Sequence, residues 1–326
     1  MALNTEVVGK PAWYRIRAWF IGLLLLSGSL VLLTHFTELE HFTQLVRQAE
    51  PAWLVLALLL QAATYASVAG VWYLALRQEG QAHSLRSLVP LGVAKLFSDQ
   101  VMPSAGMSGA VFLVAAMSRR QVPVRISMAI LLLSLVTYYG AYMAAVFVSV
   151  LQLWYYNALH VWIIAVVIVF CLFAVGVPAG ALWMRRLGWK ELPAFLRRIP
   201  GLSELMSNIA SAPRELLRSP AIIISTTLLN GFVFVLDAAT LWVMLQVVGI
   251  NVSFAVAFPS FVLASMVATI GPIPLGLGTF EVTCVSTLGA LGVGIEAALT
   301  ATLLLRGFTT WMPILPGMWL ARRALR

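Results

Sequence analysis

The sequence predicts an all-α polytopic integral membrane protein. It has about six full transmembrane helices plus two broken or re-entrant hairpins in an inverted-repeat arrangement. Three observations carry this reading. The 326 residues are 61% hydrophobic and only 10% charged, against about 25% charged in a soluble domain. Several apolar stretches reach the roughly 20 residues that cross about 30 Å of hydrocarbon. Two more apolar regions are interrupted by clusters of proline and glycine, the residues that break a helix.

Taken in order, the run at 18–36 follows Lys10, Arg15 and Arg17, is long and lacks a clear small-x-small cleavage site, so it reads as an uncleaved first helix. Full spans follow at 52–76, 126–150, 161–184, 221–247 and 297–320. The region 87–118 has two arms too short to cross, which favours a re-entrant hairpin. The arms of 254–292 are longer, about 17 and 14 residues, and fit either a re-entrant hairpin or two short spans. The loop 151–160, LQLWYYNALH, has the aromatic content of a membrane interface. The loop 185–220 is basic and amphipathic, and reads as a cytoplasmic linker or a surface helix. A single transmembrane domain, 1–326, is therefore expected.

Lys and Arg accumulate on the cytoplasmic side of membrane proteins. Under this topology 18 of the 21 basic residues face inward, Arg47 faces outward, and Lys95 and Arg306 sit at membrane depth. Both termini are expected in the cytoplasm. The net charge of +9 then serves orientation and contact with anionic lipid, not nucleic acid. The two cysteines, Cys171 and Cys284, lie in apolar runs, and the four histidines are scattered near span ends. No metal site and no cofactor is expected.

An internal echo supports the inverted arrangement. With Gly106 laid over Gly278, an offset of 172, AILLLSLVTYY (129–139) falls on ATLLLRGFTTW (301–311) with five identities. Each copy is a broken hairpin followed by a span, 87–150 and 254–320, and the two start from opposite sides of the membrane. Broken helices in inverted repeats place a binding site near the midplane, because irregular backbone at that depth must be buried in protein or line a wet cavity.

Ionisable groups at membrane depth are the candidates for function: Lys95, Asp99, Asp237, Glu281 and Arg306. Lys95 and Asp99 lie four apart on one helical face and can pair, either as a structural bridge or as part of a site. Asp237 shares a face with Asn230, and Gln61 is a candidate for an interhelical hydrogen bond. Glu281 follows the break GPIPLGLGTFE, which contains Pro274, Gly276, Gly278 and Thr279, and sits in the first turn of the next half-helix. Arg306 is its natural partner. The first turn, PSAGMSGAV, holds Pro103, Ser104, Gly106 and Ser108 with no acid, and reads either as a phosphate cradle at a helix start or as a close-packing turn. No H-E-x-x-H, G-x-S-x-G or Walker lysine loop is present, so an enzyme is not expected.

The run IGPIPLGLGTFEVTCVSTLGALGVGIEAALTATLLLRGF, with Pro274, Gly276, Gly278, Glu281, Gly292 and Arg306, resembles the C-terminal signature of the lysylphosphatidylglycerol synthase transmembrane-domain family. The family is also called flippase-like and includes stand-alone members associated with hopanoid biosynthesis. MPSAGMSG followed by RRQVP resembles its earlier Pro/Gly segment, although Met107 stands after Gly106 where many members carry an acid. The resemblance implies movement or handling of polar lipids across a bacterial inner membrane. Lysine transfer is not expected, since the chain shows no soluble aminoacyl-transferase domain. The leading expectation is translocation of a phospholipid or other polar lipid, its head group passing through a cavity between the hairpins. The alternatives are an intramembrane lipid-modifying enzyme using Asp237 and Glu281, and a scaffold that recruits a soluble enzyme through the 185–220 loop. Self-association into a homo-oligomer stays open.

Overall fold

Long apolar runs in a solvent that cannot hydrogen-bond must satisfy their backbone internally, and helices do this. The computed structural model describes residues 50–101, 107–186, 216–271 and 273–324, and among these it is helical. The first expected span (18–36), Pro103, Ser104 and Gly106, and most of the 185–220 loop lie outside the described residues.

The helices are α1 (Pro51–Gln78), α2 (Leu85–Val101), α3 (Met107–Arg119), α4 (Val124–Tyr155), α5 (Val161–Arg186), α6 (Pro220–Val247), α7 (Phe254–Ile270), α8 (Thr279–Ala290), α9 (Ile295–Arg306) and α10 (Ile314–Ala324). Five stretches are long and apolar enough to cross a membrane: Pro51–Gln78, Val124–Tyr155, Val161–Trp183, Pro220–Val247 and Ile295–Ala324. Each contains or closely matches one expected span. The arms of the two hairpins, α2 with α3 and α7 with α8, are shorter.

α6 is the central helix and packs on α1, α4, α7 and α9. The contact between α1 and α6 uses a small residue on α1: Gly70 lies under Leu229 of α6, where an added Cβ would come within 3.2 Å. Small residues let helices approach closely, which is the main source of attraction when lipid tails are as apolar as leucine. α5 is peripheral, with Leu172 71% exposed and Ile168 and Val169 more than half exposed. Buried hydroxyls are mostly returned to the carbonyl four residues earlier, as in Thr137 to Leu133, Ser149 to Ala145, Ser260 to Val256 and Thr302 to Ala298. That bond satisfies a polar group without a second helix.

The last span is not one continuous α-helix. After Arg306 the backbone widens into a π turn at Gly307–Trp311, with the Met312 N–H donating to the Gly307 carbonyl at 2.8 Å. Pro313 follows; it has no N–H to donate and its ring crowds the carbonyl four residues back, so the regular ladder cannot continue through it. α10 then lies against α2. A Cβ on Gly317 would stand 2.6 Å from Phe97 Cβ and 3.1 Å from the Val93 carbonyl, so only glycine allows this approach. The chain's last helix is thereby packed on the first hairpin.

Candidate functional site

The second break is built from the backbone outward. α7 ends at Ile270, and Gly271 turns the chain out of the helix in an extended conformation. A short 3-10 turn at Pro274–Gly276 follows, with Leu275 at φ 60°, Gly276 at φ 63° and Gly278 at φ 80°. The left-handed region favours glycine, and Leu275 adopts it at a cost of about 1–3 kcal/mol. Gly276 is further constrained because a Cβ there would overlap Ala268 of α7. The Thr279 hydroxyl donates to the Gly276 carbonyl at 3.0 Å, tying the loop to the start of α8.

Glu281 is the third residue of α8. Its Oε2 accepts the Gly278 N–H at 2.7 Å. This is the acidic half of a capping box; Gly278 has no side chain to supply the other half. The position also places the carboxylate at the positive end of the helix. Its Oε1 accepts Arg306 Nε at 2.9 Å, and Arg306 Nη2 donates to the Leu275 carbonyl at 2.8 Å. The side chains of Arg306 and Glu281 are only 13% and 14% exposed. The guanidinium also lies 5.2 Å from the Phe280 ring centroid. One arginine from α9 therefore holds the acid, the strained Leu275 and an aromatic face together. A guanidinium has five N–H donors, and among the described residues these bonds use two.

The first break uses the same chemistry with a different wiring. Lys95 Nζ lies 2.7 Å from Asp99 Oδ2 within α2, the i,i+4 pair its spacing allows. Asp99 Oδ1 accepts the Gly109 N–H of α3 at 2.8 Å, and the Ser108 hydroxyl donates to the Ser98 carbonyl at 2.9 Å. The first turn reads as acid-free in sequence; folded, α2 delivers an acid to it. Asp99 occupies a helix-start N–H that an anionic ligand could otherwise use, which weakens the phosphate-cradle reading of that hairpin. Gly109 makes this geometry, since a Cβ there would overlap the Asp99 carboxylate.

A third polar group sits where α1 and α6 cross. Asp237 Oδ1 accepts Gln61 Nε2 and Thr64 Oγ1, both at 3.2 Å, and Gln61 Nε2 also reaches Thr240 Oγ1 at 3.1 Å. Gln61, Thr64 and Thr240 are buried and Asp237 is half-buried. Asn230 shares the Asp237 face in sequence, but its Nδ2 turns to Thr137 Oγ1 of α4 at 3.0 Å. An aromatic cluster of Tyr138, Tyr142, Phe170 and Phe234 fills the space between α4, α5 and α6. Among the described residues no group of three or more His, Cys, Asp or Glu is placed to hold a metal ion. A shallow open depression of about 420 Å³, lined by Tyr73, Arg77, Gln81, Ala82, His83 and Ser84, contains none of these groups.

The structure thus brings Glu281, Arg306, Gly276, Gly278 and Thr279 into one network, with Pro274 in the turn beside them. It joins Lys95, Asp99 and Ser108 at another, and separates Asp237 from Asn230. Sequence reasoning missed the Leu275 carbonyl as the second anchor of Arg306, the capping of α3 by Asp99, and the Gln61–Thr64 clamp on Asp237. Only Gln61 carried a signal, as a polar residue inside an apolar span.

No curated protein matches the chain. The family model described as Lysylphosphatidylglycerol synthase TM region matches residues 19–317, a stretch that takes in both broken hairpins and Arg306. With nine-tenths of its length inside that match, this multi-pass membrane chain belongs to the lysylphosphatidylglycerol synthase TM region family.

Proposed function

We propose that the protein translocates a polar lipid across a bacterial inner membrane, with the head group passing the Glu281–Arg306 break while the acyl tails stay in lipid. One observation carries this reading. Arg306 is held nearly buried at a backbone break, with two donors committed to Glu281 and Leu275, and in this proposal its other donors meet an anion. A buried cation at membrane depth is expensive to keep, and lipid phosphate is the abundant anion at the two surfaces of the surrounding bilayer. Glu281 fixes the arginine and lowers the net charge, so that a phosphate can bind and also leave. The family match is consistent with a lipid-related role.

In this proposal the two breaks belong to inverted pseudo-repeats, 87–150 and 254–320. Both termini lie in the cytoplasm, the basic clusters there contact anionic lipid, and the chemistry is transport rather than catalysis. The test is reconstitution in liposomes carrying a head-group-labelled phospholipid, with the lipid recovered afterwards for mass spectrometry. The proposal expects the label to cross bilayers that contain the protein and to return chemically unchanged. A covalently altered head group would replace translocation with an intramembrane lipid-modifying activity. Failure to cross, with folded protein present, would remove the reading.

A further inference from the structure

The three described acids at membrane depth differ in one respect. Both oxygens of Asp99 are occupied, by Lys95 Nζ and the Gly109 N–H. Both oxygens of Glu281 are occupied, by Arg306 Nε and the Gly278 N–H. Asp237 is arranged otherwise: Oδ1 accepts two neutral donors, Gln61 and Thr64, and Oδ2 accepts none among the described residues. No described lysine, arginine or histidine lies within ion-pair distance of it.

We propose that Asp237 is a proton-binding site at membrane depth, taking a proton on Oδ2 and releasing it to water as part of its working cycle.

The elements packed against α6 leave few other occupants for that charge. From α1, Gln61 and Thr64 are neutral, and Tyr65 stands four residues after Gln61, on the same helical face. The Tyr65 hydroxyl is fully buried and has no hydrogen-bond partner among the described residues. From α4, the Tyr138 ring packs 5.5 Å from that of Phe234, three residues before Asp237. α7 contains no titratable side chain. α9 has Glu296 at its start and Arg306 at its end, and Arg306 is engaged by Glu281.

A carboxylate at membrane depth without a cation is disfavoured, and a bound proton removes that penalty. Gln61 and Thr64 donate to Oδ1 whichever form is present, so they hold the carboxyl in place while Oδ2 changes state. Tyr65 is a second unmet polar group in the same interface. A buried hydroxyl left without a partner is rare, and it fits a group whose partner appears in only one protonation state. Ionisable residues placed this way in membrane helices mark proton paths in general. The proposal rests on the translocation reading only for what the proton would drive; the site itself stands without it.

The chain contains two aspartates, Asp99 and Asp237, which makes a clean spectroscopic test available. Protein labelled with carbon-13 at the aspartate side-chain carboxyl is placed in lipid nanodiscs, and its infrared spectrum is followed as pH is raised from acid to alkaline. The site predicts one isotope-shifted carboxylic-acid band that disappears reversibly with rising pH, is absent from Asp237→Asn, and changes its midpoint in Tyr65→Phe. A spectrum with no such band at any pH, or with a band that never titrates, would overturn the proposal. So would a titrating band that persists in Asp237→Asn, since it would then belong to Asp99. If Asp237→Asn does not fold, the band and its response to Tyr65→Phe decide the matter on otherwise intact protein. Head-group flipping measured on the same preparation separates the two claims: titration without flipping keeps the proton site and removes the translocation reading.

Discussion

The two hairpin breaks solve one problem with opposite wiring. At each, a helix start exposes N–H groups inside an apolar bundle, and a carboxylate paired to a cation covers one of them. In the second break the acid is local: Glu281 caps its own helix, and the cation comes from Arg306, 25 residues on. In the first break the cation is local: Lys95 and Asp99 share a helix, and the acid reaches across to Gly109 of the next one. The 172-residue offset carries Met107, the first residue of α3, onto Thr279, the first of α8, and carries Gly109 onto Glu281. Where one hairpin has its acid, the other has the glycine that makes room for an acid from the opposite arm. The charge pair at a break is thus set by where a carboxylate can arrive, not by a fixed position. The second pair is the less exposed of the two, at 13% and 14% against 29% and 21%, and it also fixes a strained loop.

The sharpest way to break that contrast is at Gly276, where a positive φ and the overlap with Ala268 act together. Gly276→Ala should cost about 2–4 kcal/mol, seen as a lower midpoint of thermal unfolding in detergent. An unchanged midpoint would mean the loop is not built around that contact. Next in size is Arg306→Ala, which among the described residues leaves Glu281 with a single backbone donor and the Leu275 carbonyl with none. A loss of about 3 kcal/mol is expected, and Arg306→Met combined with Glu281→Gln should recover part of it. The first break should be softer. Asp99→Asn keeps an oxygen for the Gly109 N–H and frees a partly exposed lysine, so about 1 kcal/mol is expected. Gly109→Ala should push the flexible Asp99 side chain aside for a similar cost, and the two changes together should be clearly less than additive. An Asp99→Asn effect larger than that of Arg306→Ala would reverse the ranking of the two breaks.

Much of this was legible in the sequence because its causes are local or compositional. Apolar runs long enough to cross a bilayer gave the spans, and the four-residue spacing gave Lys95–Asp99. A lone arginine in an apolar span pointed to Glu281, since burying either alone is costly. Thr279 and Gly278 were placed at the start of the half-helix by the glycine cluster itself. The rest depends on approach between distant segments. Asp237 meets Gln61 across 176 residues, and nothing in either span marks the partner. Asn230 faces Thr137 because α4 and not α1 passes that side of α6. The capping of α3 by Asp99 needs the two arms folded together before the missing Cβ of Gly109 matters. The π turn after Arg306 had a visible cause in Pro313, but the sequence alone does not say whether a proline will kink, end or widen a helix.

The central claim is that Arg306 meets the head group. Flipping of a labelled anionic phospholipid in proteoliposomes tests it most directly, with equal amounts of folded wild-type, Arg306→Lys and Arg306→Ala protein. Arg306→Lys keeps the charge but loses the planar fork that can hold Glu281 and still donate to phosphate. The account predicts a loss of about tenfold or more for lysine, equivalent to about 1.4 kcal/mol in the barrier, and a larger loss for alanine. Wild-type flipping rates in both variants would contradict it.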